Sequence, residues 1–370
     1  MPRIFELFGF RVGDQSKKAK AHRQAATCPF ADCDCDGGGN RYLSNVDLHD
    51  RPELRDFFLG RETVPSGVCS LQLTEDARPW IVCPRRLLVL SRPDMGRRAH
   101  QEAVERKLFE VAGYSAGTRL AVWPEVKMTY AERRGTVRKT FDYTFDYVLI
   151  PVATLDQARI EEATGKNWDA LRPLLTAAGY AVASCGGREI IEDFPDGPPL
   201  IVEIMTSSTS GGNKRVRSTI PMAFEDAIMG APHKAPGINY RQVWARMVSQ
   251  LVVKSEVALG WGGKAIWILQ DALVDYIRAS TALDIGVFRA RTTSEVNILS
   301  FSYGESFADD RPGEVIELAG GQLYAGPISQ SGGGRAPSFQ DIIRAPVKPP
   351  LSRLLALLAA RRPTSYITVR

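Results

Sequence analysis

Along residues 101–112 the apolar positions Ala103, Val104, Leu108 and Val111 recur near helical spacing and predict an amphipathic helix. Past residue 117 the pattern turns to strands. Residues 119–123 form one candidate, and residues 141–150 are aromatic and β-branched, with a stop at Pro151. Ile160, Ala163, Trp168, Leu171, Leu174 and Leu175 predict a helical insert over 156–178. Pro198-Pro199 then leads into Leu-Ile-Val-Glu-Ile-Met at 200–205, a buried-strand pattern interrupted by one acid, Glu203. A polar loop follows over 206–212, with a basic segment at 213–217. Residues 240–259 predict a long helix whose apolar face carries Val243, Trp244, Met247, Val248 and Leu251, with Arg241, Arg246 and Lys254 off that face. The apolar run at 265–277 predicts another helix, and residues 354–360 a last one that ends in Arg361-Arg362. After residue 300, and ahead of that helix, Gly, Ser and Pro predict long loops and irregular strands.

Composition adds a core and removes some classes. The chain has 370 residues, 44% of them apolar, enough to bury a large core and to argue against intrinsic disorder. The net charge of +5 is a mild basic bias that fits a polyanion partner without establishing one. No apolar run reaches the roughly eighteen residues that a membrane helix requires, and the N-terminus lacks the order of an export signal. A soluble, cytoplasmic protein with no membrane partner is the expectation.

The candidate chemistry has three parts. An ionised carboxylate inside an apolar strand is costly unless it is paired or binds a metal, and Asp146 and Glu203 both sit in such strands. If the two strands are antiparallel neighbours, the acids meet with room for magnesium between them, the logic of metal-dependent phosphodiester hydrolysis. The plainer alternative is that each acid faces solvent or pairs with an arginine. Asp196 is a third candidate, although Asp-Gly-Pro-Pro reads as a turn into the strand.

The second part is the thiols. Cys28, Cys33, Cys35, Cys69 and Cys83 lie in the first quarter of the chain, and Cys185 stands apart as an ordinary structural thiol. Cys28, Cys35, Cys69 and Cys83, with Cys33 as the alternative to Cys35, supply four sulfurs for a tetrahedral iron or zinc ion. Buried, unliganded cysteines are the competing reading, which the acidic, glycine-rich loop around Cys33 and Cys35 disfavours. The third part is basic. Lys214, Arg215 and Arg217 follow Glu203 and its loop, and Arg241 and Arg246 lie on the long helix, where they suit phosphate contacts or simply a solvated surface. Serine-nucleophile and phosphate-loop motifs are missing, and His22, His49, His100 and His233 are scattered.

Taken in order, Thr27-Cys28-Pro29-Phe30, Ser66-Gly67-Val68-Cys69-Ser70, Trp80-Ile81-Val82-Cys83-Pro84-Arg85-Arg86, Tyr143-Thr144-Phe145-Asp146-Tyr147-Val148-Leu149 and Val202-Glu203-Ile204-Met205-Thr206 resemble the motif series of the NotI-like type II restriction endonucleases. The helix with Val248-Ser249-Gln250-Leu251-Val252-Val253-Lys254 is similar too, and the resemblance runs from about residue 4 to residue 275. It implies an α/β fold with a mixed-sheet PD-(D/E)xK nuclease core flanked by helices and an N-terminal four-cysteine metal-binding subdomain. The corresponding boundaries are 1–95 for the metal subdomain, 96–280 for the nuclease core and 281–370 for a C-terminal extension that contacts DNA or packs on the core.

What the resemblance implies for function is a homodimer that cuts duplex DNA with magnesium at a GC-rich palindrome, accompanied by a DNA methyltransferase encoded nearby. Carried onto this sequence, it makes Asp146 and Glu203 the magnesium ligands and Glu125 an upstream catalytic acid, with Glu132 close by as an alternative. It makes the four-cysteine ion a structural iron, and it puts Gln250 with Lys214, Arg215, Arg217 and Arg241 among the DNA contacts. The sequence departs from the family at Met205. That position is lysine in most such nucleases and glutamine in this family, and a thioether cannot orient an attacking water. Lys214 reaching in is one remedy. The rival functions are a DNA-processing nuclease without tight sequence specificity and a metal-clip DNA-binding protein whose nuclease site has decayed.

Overall fold

The computed structural model describes residues 1–37, 45–90, 99–280, 285–303, 307–308, 311–329 and 348–369. The N-terminal part runs β1 (Arg3–Leu7), β2 (Phe10–Arg11), α1 (Lys17–Ala25), β3 (Thr27–Cys28), β4 (Cys33–Asp34), β5 (Asn45–Asp47), α2 (Pro52–Phe57), β6 (Thr63–Pro65), β7 (Val68–Gln72), β8 (Trp80–Ile81) and α3 (Pro84–Leu87). Four of these strands form a sheet in the order β2-β1-β7-β8, while β3–β4 and β5–β6 are separate short pairs.

The larger part continues with α4 (Ala99–Ala112), β9 (Arg119–Arg134), β10 (Val137–Asp156), α5 (Gln157–Thr164), α6 (Trp168–Ala177), β11 (Val182–Cys185), β12 (Arg188–Pro195) and β13 (Leu200–Met205). Then come α7 (Ile220–Ile228), α8 (Tyr240–Gly260), β14 (Lys264–Gln270), α9 (Asp271–Ser280), β15 (Arg289–Ala290), β16 (Val296–Ser302), β17 (Ala319–Gly326), α10 (Leu351–Ala359) and β18 (Ser365–Thr368). Ten strands make one mixed sheet in the order β11-β12-β10-β13-β14-β16-β17-β15, with β9 along β10 and β18 beside β9. The β9–β10 and β10–β13 pairs are antiparallel, whereas β13, β14 and β16 run parallel. The chain is therefore α/β.

Helices cover both faces of the large sheet, as its central parallel strands require. On one face Val104, Leu108 and Phe109 of α4 pack on Leu149, Val202, Ile266 and Leu299. On the other, Val253 and Val257 of α8 and Leu354 and Leu358 of α10 pack on Val148, Ile150 and Ile201. Each fully buried Leu, Val or Phe in these layers stabilises the fold by roughly 1.5–3 kcal/mol. The strands described after residue 281 belong to this assembly, because β16 and β17 extend the sheet and β18 pairs with β9. Among the described residues no helix is long and apolar enough to cross a membrane.

Two sequence expectations change. The segment 265–277 is a strand, β14, followed by the helix α9. Nearly every residue of β14 is buried between β13 and β16, so its apolar run has no alternation to tell it from a buried helix. The insert at 156–178 is two helices, with Gly165 in the left-handed conformation ending the first and the Asn167 side chain capping the second. The turn into β14 depends on Gly263. A Cβ there would stand 2.0 Å from the carbonyl oxygen of Pro199, and that close pass lets the Lys264 N–H donate to the same oxygen at 3.0 Å, starting the β13–β14 ladder.

Candidate active site and cysteine cluster

β10 and β13 pair only through Tyr147–Val202, Val148–Ile201 and Leu149–Leu200. The next pair in that register is Asp146 with Glu203, and there the strands part. The parting leaves the backbone N–H of Ile204 without a ladder partner from β10, and it donates instead to Asp146 Oδ2 at 2.8 Å. Asp146 thus closes the end of the ladder with its side chain. The β9–β10 hairpin carries a second irregularity at the same level. Phe145 pairs with Val126 and Tyr147 with Pro124, which sets Glu125 across from Asp146, yet Glu125 has φ +49°.

This left-handed residue accompanies a switch of faces. Toward the α8 and α10 layer β9 presents Ala121 and Trp123 on one side of Glu125, and Val126 and Met128 on the other. β10 does the same with Phe141 and Phe145, then Val148 and Ile150. A non-glycine residue at positive φ is uncommon and belongs where the chain must bend. Glu125, Asp146 and Glu203 therefore come from three neighbouring strands at the point where the sheet splits. Glu125 is exposed, Asp146 half-buried and Glu203 2% exposed. Glu132 lies near the hairpin tip opposite Lys139, and Asp196 sits in the β12–β13 turn, its N–H donating to Pro151 O at 2.8 Å, before the strand whose far half carries Glu203.

The partner of Glu203 comes from α8. Lys254 Nζ donates to Glu203 Oε2 at 2.5 Å and to the carbonyl oxygen of Thr144 at 2.7 Å, and its side chain is fully enclosed. The ammonium also lies 5.6 Å from the ring centres of Phe145 and Trp267, so it is desolvated but compensated. The sequence reading placed Lys254 off the apolar face; the structure corrects this. From Leu251 to Ala258 the helix is buried all round, and a lysine survives there because a carboxylate and a carbonyl meet it. Met205, two residues after Glu203, packs with Val243, Met247 and Leu251. The cation near the strand glutamate is supplied from the helix.

The basic residues occupy different places. The loop after β13 is tied to the start of α8, since the Asn239 N–H donates to Ser208 O and the Ser210 N–H to Gly237 O, both at 2.8 Å. Lys214, Arg215, Arg241 and Arg246 are exposed around this junction, and Gln250 is half-buried one helical turn before Lys254. Arg217 is engaged elsewhere: its guanidinium donates to both Asp226 oxygens and to Glu225.

At the N-terminus Cys28, Cys69 and Cys83 are buried in one cluster with Phe30, and Cys35 packs against it. Each sulfur accepts a backbone N–H: Cys28 from Phe30 and Ala31, Cys35 from Gly37 at 3.4 Å, Cys69 from Gly9 at 3.3 Å and Cys83 from Arg85. Gly9 has φ +81° and a Cβ there would meet Pro29 Cγ at 2.2 Å, so only glycine brings that N–H so close. Cys33 stands across the β3–β4 pair from Cys28, and its thiol donates to the Asp34 carbonyl at 3.2 Å. Cys185 is exposed at the β11–β12 turn.

Burial is the main reason these thiols resist ionisation. It pushes Cys28 up to about 11 and Cys35 up to about 12, and holds Cys69 and Cys83 well above the usual thiol range, with neighbouring thiols adding to the effect. Four sulfurs that share an apolar pocket and each receive an N–H have the donor chemistry of a thiolate-bound iron or zinc ion. As they stand they are not a closed ligand set: among the described residues no group of three or more His, Cys, Asp or Glu side chains is arranged to hold a metal.

The residues after Cys83 join the cluster to the rest of the molecule, which the sequence reading did not foresee. Arg85 donates to Asp36 at 3.0 and 3.1 Å and to the hydroxyl of Tyr147, the neighbour of Asp146, at 3.4 Å. Arg86 is fully buried. Its Nε donates to Glu6 Oε1 and Oε2 at 3.2 and 3.1 Å, and its guanidinium stacks over Phe30 and Tyr303. Glu6 also accepts from Ser70 at 2.8 Å and Tyr303 at 2.5 Å. Burial opposes the charge on Arg86, but Glu6 and the Tyr303 oxygen outweigh it and its pKa rises.

No family model, curated protein or solved structure matches the chain.

Proposed function

We propose that the chain is a magnesium-dependent type II restriction endonuclease of the NotI-like kind, cutting duplex DNA phosphodiesters at a GC-rich palindromic site. The observation that carries this reading is the ion pair of Lys254 with Glu203 at the point where β10 and β13 part beside Asp146. Two strand carboxylates with a desolvated lysine against one of them are the parts that a PD-(D/E)xK nuclease needs, and here the lysine reaches the glutamate from a helix. That arrangement favours a working nuclease over a decayed one, because the vacancy at Met205 is met by Lys254.

Asp146 and Glu203 supply hard oxygen donors on neighbouring strands, which fits magnesium. When bound there, that ion would supply a polarised water and neutralise charge on the scissile phosphate. Lys254 fixes the Glu203 carboxylate and adds positive charge where negative charge builds on the phosphoryl oxygens. Asp146 is held in place by the Ile204 N–H. Glu125, exposed across from Asp146 in the β9–β10 register, would serve as a further acid for proton transfer. Lys214, Arg215 and Arg241, exposed on the loop after β13 and at the start of α8, would serve as phosphate contacts, with Gln250 one turn before Lys254 on α8, whereas Arg217 serves to hold α7.

Reading a palindrome calls for a two-fold protein, so a homodimer belongs to this proposal, as does a methyltransferase encoded nearby to protect the host's own sites. The four cysteines would hold iron, with zinc as the alternative, and brace the segment whose Arg85 meets Tyr147. Incubating the protein with unmethylated GC-rich plasmid and magnesium tests the reading. Discrete fragments are expected from the wild type and none from Glu203→Ala. A smear would point to a DNA-processing nuclease, and DNA binding with intact plasmid would leave only the metal-clip function.

A further inference from the structure

The β9–β10 hairpin runs on past the sheet. Its rungs extend from Leu120–Pro151 to Arg134–Val137, whereas β13 pairs with β10 only as far as Tyr147 and β18 pairs with β9 only as far as Val122. From Val126 and Phe145 onward it is a two-stranded ribbon with no third strand among the described residues. Its two sides differ. Val126, Met128, Phe141 and Phe145 are buried against α8 and α10, which fixes the root. The opposite row presents Lys127, Thr129, Arg133, Arg138 and Asp142 as exposed residues. Thr129 donates to Asp142 at 3.0 Å, so this acid is engaged within the row.

Beyond Tyr130 and Phe141 the buried row ends and the tip stands clear. Val137 is 51% exposed, and Arg133, Arg138 and Lys139 are exposed around it, with the half-buried Glu132 across from Lys139 as the one acid described at the tip. An apolar residue lifted into solvent among cations makes poor sense as packing and good sense as a surface that meets a polyanion. The dimensions agree, since B-DNA's major groove admits a two-stranded ribbon. From Asp146 to Val137 the ribbon covers about 30 Å at roughly 3.3 Å per residue, close to one helical turn of duplex.

We infer that this ribbon is a DNA arm: Arg133, Arg138 and Lys139 hold the sugar-phosphate backbone about one turn from the scissile phosphate, while the root of the same two strands delivers Glu125 and Asp146. The inference rests on the nuclease reading and adds to it the element that grips the substrate. One hairpin then couples grip to cutting.

The test is fluorescence anisotropy on mixed-sequence GC-rich duplexes several turns long, with calcium replacing magnesium. The triple variant Arg133→Gln, Arg138→Gln, Lys139→Gln is compared with wild type across salt concentrations. All three side chains are exposed, so the melting temperature should change little. The slope of log K against log salt should become shallower by about 2.7, at roughly 0.9 per lost contact, with weaker binding at low salt. Arg138→Glu alone should weaken binding in the same direction. If wild type binds and, with magnesium, cuts, but both variants match its affinity and slope, the arm is wrong and the nuclease reading stands. If wild type neither binds nor cuts, the nuclease reading fails and the arm falls with it.

Discussion

Lys254 of α8 and Glu203 of β13 form a buried ion pair at 2.5 Å, with the lysine 0% and the glutamate 3% exposed at the side chain. The pair lies where β10 leaves β13, so a structural contact between helix and sheet is also the polar centre of the candidate site. The Thr144 carbonyl, on the ribbon side of that junction, is the second acceptor for the same ammonium. One lysine therefore ties the helix to both separating strands.

Lys254→Met should be costly twice over. Removing the ammonium strands a buried carboxylate, and breaking such a pair destabilises by about 3–5 kcal/mol. Adding Glu203→Gln to the same chain should recover most of that loss, because no buried charge remains. Urea denaturation of the two variants checks the first effect. Cleavage should fall by about 10²–10³-fold in Lys254→Met and should not return in the double variant. Wild-type cleavage by Lys254→Met in spite of its lost stability would show that the lysine has no part in the chemistry.

Met205 gives the complementary test. It lies on the same strand face as Glu203, two residues on, and packs beside α8. In the Lys254→Met background, Met205→Lys should restore part of the cleavage by bringing the ammonium in from the strand. In the wild-type background it should be neutral or inhibitory, since two ammonium groups would compete for one carboxylate. Initial rates on plasmid DNA for the four combinations make a double-mutant cycle, and a strongly negative coupling in which each lysine substitutes for the other is the expected result.

Glu203 was legible in the sequence because a single acid breaks a six-residue apolar strand, and Asp146 for the same reason. Lys254 carries a related signal, a lysine that with Glu256 breaks the apolar run Leu-Val-Val-Lys-Ser-Glu-Val-Ala, but the sequence reading takes the helix to be one-sided there. The helix is in fact enclosed on all sides from Leu251 to Ala258, so spacing had no exposed face to identify. β14 was hidden likewise, as a strand buried on both faces has no period. Glu125 could not be separated from Glu132 without the hairpin register, which is set by the turn at Gly135 and sets only Glu125 across from Asp146. The Arg85–Tyr147 contact joins residues 62 positions apart, and no local pattern encodes such a meeting.

The cysteine cluster predicts its own membership. If the chain holds one thiolate-bound ion, Cys28→Ser, Cys35→Ser, Cys69→Ser and Cys83→Ser should each purify with less than stoichiometric metal. Cys33→Ser should retain the full complement, because its thiol faces the Asp34 carbonyl while Cys35 packs on the buried three. Elemental analysis of each purified variant, which also separates iron from zinc, checks this. Metal loss in Cys33→Ser with retention in Cys35→Ser would exchange their roles.

Asp146 separates architecture from chemistry. Its Oδ2 accepts the Ile204 N–H at 2.8 Å, and an asparagine oxygen can accept that same bond, whereas alanine leaves the donor unmet. Asp146→Asn should therefore unfold at the wild-type urea concentration, and Asp146→Ala should lose about 1–3 kcal/mol, the cost of an unsatisfied backbone group at a half-buried strand end. Cleavage should be lost in both, since neither substitute carries the negative charge that a divalent ion requires. DNA binding in calcium-free buffer should survive in Asp146→Asn. Retained cleavage in Asp146→Asn would reduce this residue to a strand cap and return the catalytic role to Glu125 and Glu203 alone.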